Sequence, residues 1–371
     1  MKPYVLQELP PRDIGWEPLI PLIGRASRSI ALYDGILYGV PNPEVLLSPL
    51  TTQEAVLSSR IEGTQATLGE VLKFEAGEAP KQESRRLDIL EIMNYRATLR
   101  KAEFALRNKP FNLNLLLELH ACLLDSVRGR DKGRGRFRKV QNWIGARGSP
   151  IERADFVPPE PAFVEQGLRE WESYYHADQL DPLVQLAIVH AQFEIIHPFL
   201  DGNGRIGRIL IPLFLYEKGL LSRPMFYLSA YLDANREVYI SHLRALGREP
   251  GAWSRWVAFF LQALDEQART NAEKARAIID LYGRLKDRVI ALTHSQFAVP
   301  LLDQIFERPL FQSRHLQFAD GYRPSRQAVA YLLRTLRNDG ILKVVREGSG
   351  RRGQVFAFAD LINLCEGNEV F

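Results

Sequence analysis

The chain has 371 residues, of which 46% are apolar and 25% charged, and carries a formal net charge of +4. That length exceeds one small core and leads us to expect two or three domains of ordinary soluble, globular character. Its two cysteines, Cys122 and Cys365, stand in unrelated settings and exclude a disulfide framework or a zinc site, while the slight positive charge permits nucleic-acid contact without arguing for it.

Residues 1–25 carry acids and prolines but no long apolar run, so no signal peptide is expected. No stretch of about 20 apolar residues reads as a membrane span, and the cytoplasm is the expected compartment. Residues 1–47 are proline-rich, with helical spacing over residues 20–37, and read as an arm wrapping the core. Thr51 with Glu54 forms a capping-box pattern that opens a helix over residues 54–62, stopped by Gly63. Its end, Ser58-Ser59-Arg60-Ile61-Glu62-Gly63, puts Ser58 and Glu62 on one face. A glutamate there is unfavourable against the helix dipole, which points to a cationic partner elsewhere.

Thr67 with Glu70 forms a second capping box, opening a helix to about Phe74. Residues 85–106 read as a long helix with Leu87, Leu90, Ala97 and Leu106 inward, and residues 113–124 as a buried helix containing His120. His120 and His190 lie on apolar helical faces and read as packed core histidines. Arg128 opens a basic, glycine-rich stretch that runs to Lys139. Residues 140–144 and 156–157 then read as strands of a hairpin.

Residues 183–196 form an apolar helical run, with Leu183, Leu186, Ala187, Phe193 and Ile196 on one face. Pro198 disfavours helix at His197 and ends it. There follows His197-Pro198-Phe199-Leu200-Asp201-Gly202-Asn203-Gly204-Arg205-Ile206-Gly207-Arg208, a loop opening onto a second apolar helix over residues 205–221. Gly202 and Gly204 can turn consecutive N–H groups towards one point. Such a nest at a positive helix end is an anion site. Arg205 and Arg208 leave the helix as neighbours and can hold further phosphate oxygens. Asp201 is a hard oxygen ligand suited to Mg²⁺, and His197 is a base suited to taking a proton from a hydroxyl. The parts describe a nucleotide phosphate cradle with a base at its lip. The Walker alternative fails, because no Gly-x-x-x-x-Gly-Lys-Ser/Thr occurs.

Beyond the loop, Tyr231, Asn235 and Tyr239 recur every four residues and share a helical face, which suits an adenine and its ribose as well as simple packing. Residues 250–292 continue as helices. Residues 300–307 and 325–338 read as helices, with Ser325 capping the second and Ala328, Val329, Leu332, Leu333 and Leu336 inward. Gly340 ends that helix, and residues 341–346 and 354–358 read as two strands with Arg351 and Arg352 at the turn between them. Between Asp320 and Gly353, arginines and lysines outnumber acids, which fits phosphate-backbone contact by a recognition helix and a basic wing. The same unit also reads as a protein-contact or homodimerisation module.

The loop from His197 to Arg208 resembles the signature of the Fic (filamentation induced by cAMP) family, His-x-Phe-x-Asp/Glu-Gly-Asn-Gly-Arg-x-x-Arg, at every specified position. The similarity runs from about residue 45 to 270. The resemblance implies transfer of AMP from ATP onto a Ser, Thr or Tyr hydroxyl of a target protein. His197 would be the general base and Asp201 the Mg²⁺ ligand. Gly202, Asn203 and Gly204 would form the anion hole, and Arg205, Ile206, Gly207 and Arg208 would complete the ATP-binding turn. Ser58-x-x-x-Glu62-Gly63 resembles the inhibitory helix of many such proteins, whose Glu pairs with the second motif arginine, here Arg208, and blocks the γ-phosphate. The resemblance also implies a flap that aligns the target segment, with Ile144 and Phe156 as contacts, and favours Tyr239 for the nucleotide.

The expected fold is mainly α: a Fic helical core with a small β-hairpin flap, then a C-terminal winged helix-turn-helix domain. We expect an arm over residues 1–48, a helical region over 49–110 with the inhibitory helix at about 51–63, a catalytic core over 111–270, a connector over 271–293 and the winged helix over 294–371. The alternatives are a nucleotide-sensing DNA-binding regulator, removal of AMP, or transfer of another phosphate-linked group.

Overall fold

The computed structural model describes residues 2–40, 42–127, 131–145, 150–318, 323–349 and 352–370. Arg128, the tip of the 145–154 loop, Asp320 and Arg351 lie outside the described residues. The chain begins with helices α1 (Ile20–Gly39), α2 (Pro43–Leu46), α3 (Ser48–Ile61), α4 (Leu68–Glu75), α5 (Glu83–Leu106) and α6 (Leu113–Leu123). Next come α7 (Val164–His176), α8 (Pro182–Ile196), α9 (Asn203–Glu217), α10 (Ser229–Ala234), α11 (Arg236–Ala245) and the long α12 (Ala252–Thr293). The C-terminal part runs α13 (Ala298–Glu307), β1 (Leu310–Gln312), α14 (Arg326–Asn338), β2 (Lys343–Arg346), β3 (Val355–Ala357) and α15 (Ala359–Glu366). The fold is therefore mainly helical with a small antiparallel sheet. Among the described residues, no helix is long and apolar enough to cross a membrane.

Two units emerge, each assembled from separate stretches of chain. One comprises residues 1–35, 57–64 and 93–270; the other comprises 36–56, 65–92 and 271–371. The division cuts through α3, so Ser58 and Glu62 fall in the first unit.

In the first unit α8 is the central helix, and it is buried on every face rather than along the one stripe read from its spacing. A helix surrounded on all sides must satisfy its few polar groups internally. Asp181 caps its start, accepting from Leu183 N and Val184 N at 2.9 Å each. Gln185 Nε2 donates to Tyr174 O at 2.6 Å and Ala177 O at 2.8 Å. Trp171 and Trp256, both fully buried, donate their indole N–H groups to Val189 O and Ala187 O at 2.8 Å each. Large side chains of this kind contribute ~1.5–3 kcal/mol each on burial, which fixes the helix that carries the motif.

The second unit closes on a sheet of strand order β1-β3-β2, with Phe311 opposite Phe356 and Val344 opposite Phe356. Central β3 is wholly buried, whereas edge strand β2 alternates exposed and half-buried positions and carries an irregularity between Val344 and Arg346. Ser325 Oγ caps α14, accepting from Ala328 N at 3.1 Å, and Gly340 at φ +81° follows its end. Strand β1 and helix α15 escaped the sequence reading, because each is too short to establish a period.

Several expectations need correcting. Helix α3 starts at Ser48, and Thr51 N already donates to Leu47 O, so Thr51 and Glu54 are interior and form no capping box. Thr67 and Glu70 do form theirs. Helix α5 buries Ile89, Ile92, Tyr95 and Ala102, while Ala97 is exposed. Among the described residues the expected hairpin reduces to one antiparallel bridge, Ile144 to Phe156. Ala328 and Val329 are only half-buried. The backbone departs from helix at Asn235 (φ −111°, ψ 29°) between α10 and α11, yet Asn235 N donates to Tyr231 O at 3.0 Å and Tyr239 N to Asn235 O at 2.9 Å, so the three residues follow one another at one-turn intervals.

Candidate active site

The site forms where α8 ends and α9 begins. His197 adopts a left-handed conformation (φ 47°, ψ 59°) that ends α8, at the position where Pro198 disfavours a further helical residue. Its Nδ1 lies 3.2 Å from Glu194 O. A carbonyl oxygen only accepts, so Nδ1 carries the proton and Nε2 presents its lone pair. Burial lowers the imidazole's pKa to about 4, outweighing the opposing pull of Glu194 O, Glu62 and Asp201. The ring is thus neutral at pH 7.

Gly202, at φ +80°, starts α9, and Ile206 N donates back to Gly202 O at 3.0 Å. The N–H groups of Asn203, Gly204 and Arg205 therefore have no acceptor within the helix and converge at its positive end. The Asn203 amide is committed inward: Oδ1 accepts from Phe199 N and Nδ2 donates to Phe199 O, each at 2.8 Å. Asn203 thus staples the loop, and only its backbone faces an anion. Ile206 is fully buried with its N–H already bonded, and supplies no donor. Gly207 is packed against Glu194: a Cβ there would fall 2.2 Å from Glu194 Oε1.

Asp201 lies beside two cations, with Oδ1 3.3 Å from Arg205 Nη2 and Oδ2 3.4 Å from Lys132 Nζ. Both contacts are long, which leaves the carboxylate available to a hard cation. No group of three His, Cys, Asp or Glu side chains gathers around it among the described residues. One carboxylate with phosphate oxygens and water is a donor set that suits Mg²⁺, and Asp201 fits that role.

Arg208 is buried and points towards the end of α3. Its Nε donates to Ser58 Oγ at 2.8 Å, and its Nη2 to Ser58 O at 2.8 Å and Glu62 Oε1 at 2.7 Å. Burial would raise the Glu62 pKa, yet Arg208 holds it below the ordinary carboxylate value. Burial likewise opposes the charge on Arg208, and Glu62 reverses that. The structure thus brings Ser58, Glu62 and Arg208 together.

A cavity of 610 Å³ opens over these groups, lined by Glu62, Glu194, His197, Gly204, Arg208 and Tyr239 among others. Ile144 and Phe156 form part of its wall, tied by Ile144 N to Phe156 O at 2.8 Å. Tyr239 is buried with its hydroxyl 2.9 Å from His190 Nε2. Tyr231 and Asn235 do not line this cavity: Tyr231 packs on Phe259, and Asn235 Nδ2 donates to Tyr231 O.

Four residues that position the loop were missed as such in the sequence. His120 stacks on Phe199 at 3.7 Å, accepts from Gly135 N at Nδ1 and donates from Nε2 to Asp201 O at 3.0 Å. Arg138 donates to His197 O at 3.0 Å, Pro159 O at 2.5 Å and Ile196 O at 3.3 Å. Asn142 Nδ2 donates to Phe199 O at 3.0 Å. Glu194 is the fourth. A basic stretch and an apolar helix gave no local signal for these roles: the motif-loop partners of His120, Arg138 and Asn142 lie tens of residues away, and Glu194 holds His197 through a backbone oxygen, which its residue type does not reveal.

Residues 20–103 match the Fic/DOC family N-terminal model and residues 110–215 the Fic/DOC family model. A probable protein adenylyltransferase of Aquifex aeolicus is 28% identical over 271 residues, covering 72% of this chain and 76% of that protein. The protein adenylyltransferase Fic of Drosophila virilis is 34% identical over 110 residues, covering 28% of this chain and 20% of the fly protein. The protein adenylyltransferase fic-1 of Caenorhabditis elegans is 28% identical over 166 residues, 43% of this chain and 30% of its own length. The chain thus spans less than a third of these two animal relatives. A Fic family protein from Desulfovibrio desulfuricans G20 shares the fold with a TM-score of 0.57 at 19% identity, covering 96% of this chain and 98% of that one. Fic-1 from C. elegans gives 0.53 at 19% identity, over 71% and 75% of the two chains. With residues 20–103 and 110–215 both matched, more than half of the chain, the protein belongs to the Fic/DOC family.

Proposed function

We propose that the protein is an adenylyltransferase that moves AMP from ATP to a Ser, Thr or Tyr hydroxyl of a target protein, and of itself. The observation that carries this reading is the His197 imidazole, its Nδ1 held 3.2 Å from Glu194 O so that Nε2 presents its lone pair beside the N-terminus of α9. The acceptor hydroxyl gives its proton to His197 Nε2 as its oxygen attacks the α-phosphorus. The bond from that phosphorus to the β-phosphate oxygen breaks, and pyrophosphate leaves. The N–H groups of Asn203, Gly204 and Arg205 cradle the developing charge, and Arg208 is the natural partner of the γ-phosphate. Mg²⁺ bound at Asp201 would neutralise phosphate charge. Ile144 and Phe156 would hold the target segment at the cavity wall, and Tyr239 would border the nucleotide.

Glu62 regulates this site in our reading. Its pair with Arg208 withdraws the charge meant for the γ-phosphate and adds a negative group beside it. ATP would then bind with its phosphates out of line for attack. Mass spectrometry of self-modified Glu62→Gly protein tests the chemistry: an AMP adduct is expected, and any other adduct, or removal of AMP alone, contradicts the assignment. ATP use is consistent with a cytoplasmic protein.

A second reading concerns the C-terminal unit, whose helix–strand–helix–hairpin order we read as a winged helix. Arg314, Arg323, Arg326, Arg334 and Arg337 line a groove of 1090 Å³ beside α14, and among the described residues no carboxylate lines it. We assign it to the DNA backbone, with homodimerisation the competing use. A salt-sensitive gel shift with the full chain supports DNA, and a shift insensitive to Arg334→Glu contradicts it.

A further inference from the structure

Glu194 lies in the last turn of α8, with its backbone oxygen on His197 Nδ1 and its side chain in the cavity already described. Arg208 is the cation beside it, yet that guanidinium bonds Ser58 and Glu62. Glu194 Oε1 is cut off from solvent over Gly207 and has no hydrogen-bond partner. The residue as a whole is half-buried and lines the cavity. Two carboxyl groups thus share one cation, and the cation is paired with the other one. An unpaired buried carboxylate is costly, and the inexpensive state is the neutral acid.

We propose that Glu194 is a nucleotide-binding residue acting in its protonated form, its cavity-facing hydroxyl donating a hydrogen bond to a phosphate oxygen beside Arg208. This rests on the reading of the cavity as an ATP site. A neutral carboxylic acid can donate where a carboxylate only repels, so the proton decides the sign of the contact. The charged and titratable groups around it are Glu62 at the end of α3, Arg208 on α9, Tyr239 on α11, and His190 and His197 from its own helix and the following turn. Arg236 and Arg244 lie on α11 at the cavity wall. His190 and His197 are neutral, each with its pKa lowered by burial. Burial and Glu62 raise the Glu194 pKa, against the pull of Arg208, to about 7. Incoming phosphates replace the negative charge of Glu62 and keep the acid neutral. Nucleotide binding above neutral pH therefore takes up a proton at Glu194.

The test measures ATP affinity with Mg²⁺ at pH 6 and pH 8.5 in Glu62→Gly protein and in the same protein carrying Glu194→Gln or Glu194→Ala. The amide mimics the neutral acid. Glu194→Gln should bind at least about tenfold tighter than its parent at pH 8.5, one pKa unit of linkage or more, and the difference should narrow at pH 6. Glu194→Ala should be weaker than Glu194→Gln at both. A role limited to anchoring Arg208 by charge predicts the reverse, a weaker Gln variant, and equal affinities of parent and Gln variant at both pH values also overturn the proposal. Calorimetry on Glu62→Gly protein in two buffers of different ionisation heat needs no second substitution: proton uptake on ATP binding at pH 8 is expected, and none refutes it. Failure of Glu62→Gly protein to bind ATP would instead sink the site assignment. Binding as described without AMP transfer would leave Glu194 in place and remove the transferase reading.

Discussion

Glu62 Oε1 accepts a hydrogen bond from Arg208 Nη2 at 2.7 Å, joining the end of α3 to the second turn of α9 across 146 residues of sequence. Arg208 also holds Ser58 through both Oγ and the backbone oxygen. The arginine is thus engaged on its inner edge by one helical turn, Ser58 to Glu62.

Ser58→Ala removes one of these bonds and leaves the other two. A buried hydrogen bond to a charged group contributes ~1.5–3 kcal/mol, part of which Arg208 regains elsewhere. Basal self-modification should rise about threefold to tenfold, less than for Glu62→Gly. Labelling rates of the two variants measured side by side check the order, and a Ser58→Ala rate below wild type contradicts it.

The turn carrying Glu62 is tied down from outside. Arg60 pairs with Asp233 on α10, Nε donating at 2.9 Å, and Arg236 Nε donates to Ile61 O at 3.3 Å. Arg60 is half-exposed, so the pair contributes less than ~1 kcal/mol and weakens with salt. Asp233→Ala should raise basal transfer up to about fivefold at low ionic strength. The difference from wild type should shrink in 0.5 M salt, and a salt-independent difference would contradict this account.

How much of this was legible beforehand depended on range. His197, Asp201, Gly202 and Arg208 are close in sequence, and their types alone describe a phosphate cradle. Ser58 and Glu62 were placed by family resemblance and a dipole misfit, and the structure brings them to Arg208. The roles of His120, Arg138 and Glu194 were invisible, because each acts on a backbone or side-chain group that only the tertiary fold delivers. The hairpin failed for a related reason. Residues 140–144 have strand-like composition, but the side chains of Arg138 and Asn142 reach the carbonyls of the motif loop, a long-range tie that composition does not show, and among the described residues one bridge is present. Helix periodicity predicted that α8 exists but not that all its faces are covered.

Arg138 is predicted to be indispensable to the loop. It satisfies carbonyls at the end of α8, and burial lowers its pKa to about 10. Arg138→Ala takes a donor from each of those carbonyls, of which His197 O keeps Asn142 Nδ2 at 3.3 Å, and each one left unpaired costs ~1–3 kcal/mol. Thermal stability should fall by several degrees, and transfer by more than about tenfold as His197 loses its seat. Arg138→Lys should not restore activity, since an ammonium cannot span the same fork. Full activity in the lysine variant would refute this.

Acid should destabilise the fold before carboxylates are protonated. Burial lowers the pKa of His120 to about 4 and of His190 to about 3, against 6.5 for the unfolded residue. The unfolded chain therefore binds these protons first, and stability is lost as pH falls from about 6.5 towards 4. Each histidine contributes a slope of up to ~1.4 kcal/mol per pH unit in that window. Denaturant titrations at pH 7, 6 and 5 should show this decline, and His120→Gln should show a shallower one. An unchanged slope in that variant would contradict the assignment.

Gly207 is required by its neighbour. A methyl group there meets Glu194 Oε1 at 2.2 Å, so Gly207→Ala must displace the carboxyl or the helix. Overpacking of this kind costs ~1–3 kcal/mol. Adding Glu194→Ala should recover most of the lost stability, and a strictly additive pair would show that the two residues do not meet.

The most direct test of the whole account is incubation of wild type, Glu62→Gly and Glu62→Gly/His197→Ala with α-³²P-ATP and Mg²⁺, followed by counting of protein-bound label. Glu62→Gly should incorporate at least about tenfold more label than wild type, equivalent to ~1.4 kcal/mol of barrier, and the double variant none. Equal labelling of wild type and Glu62→Gly would contradict the braking role of Glu62, and undiminished labelling without His197 would contradict the mechanism itself.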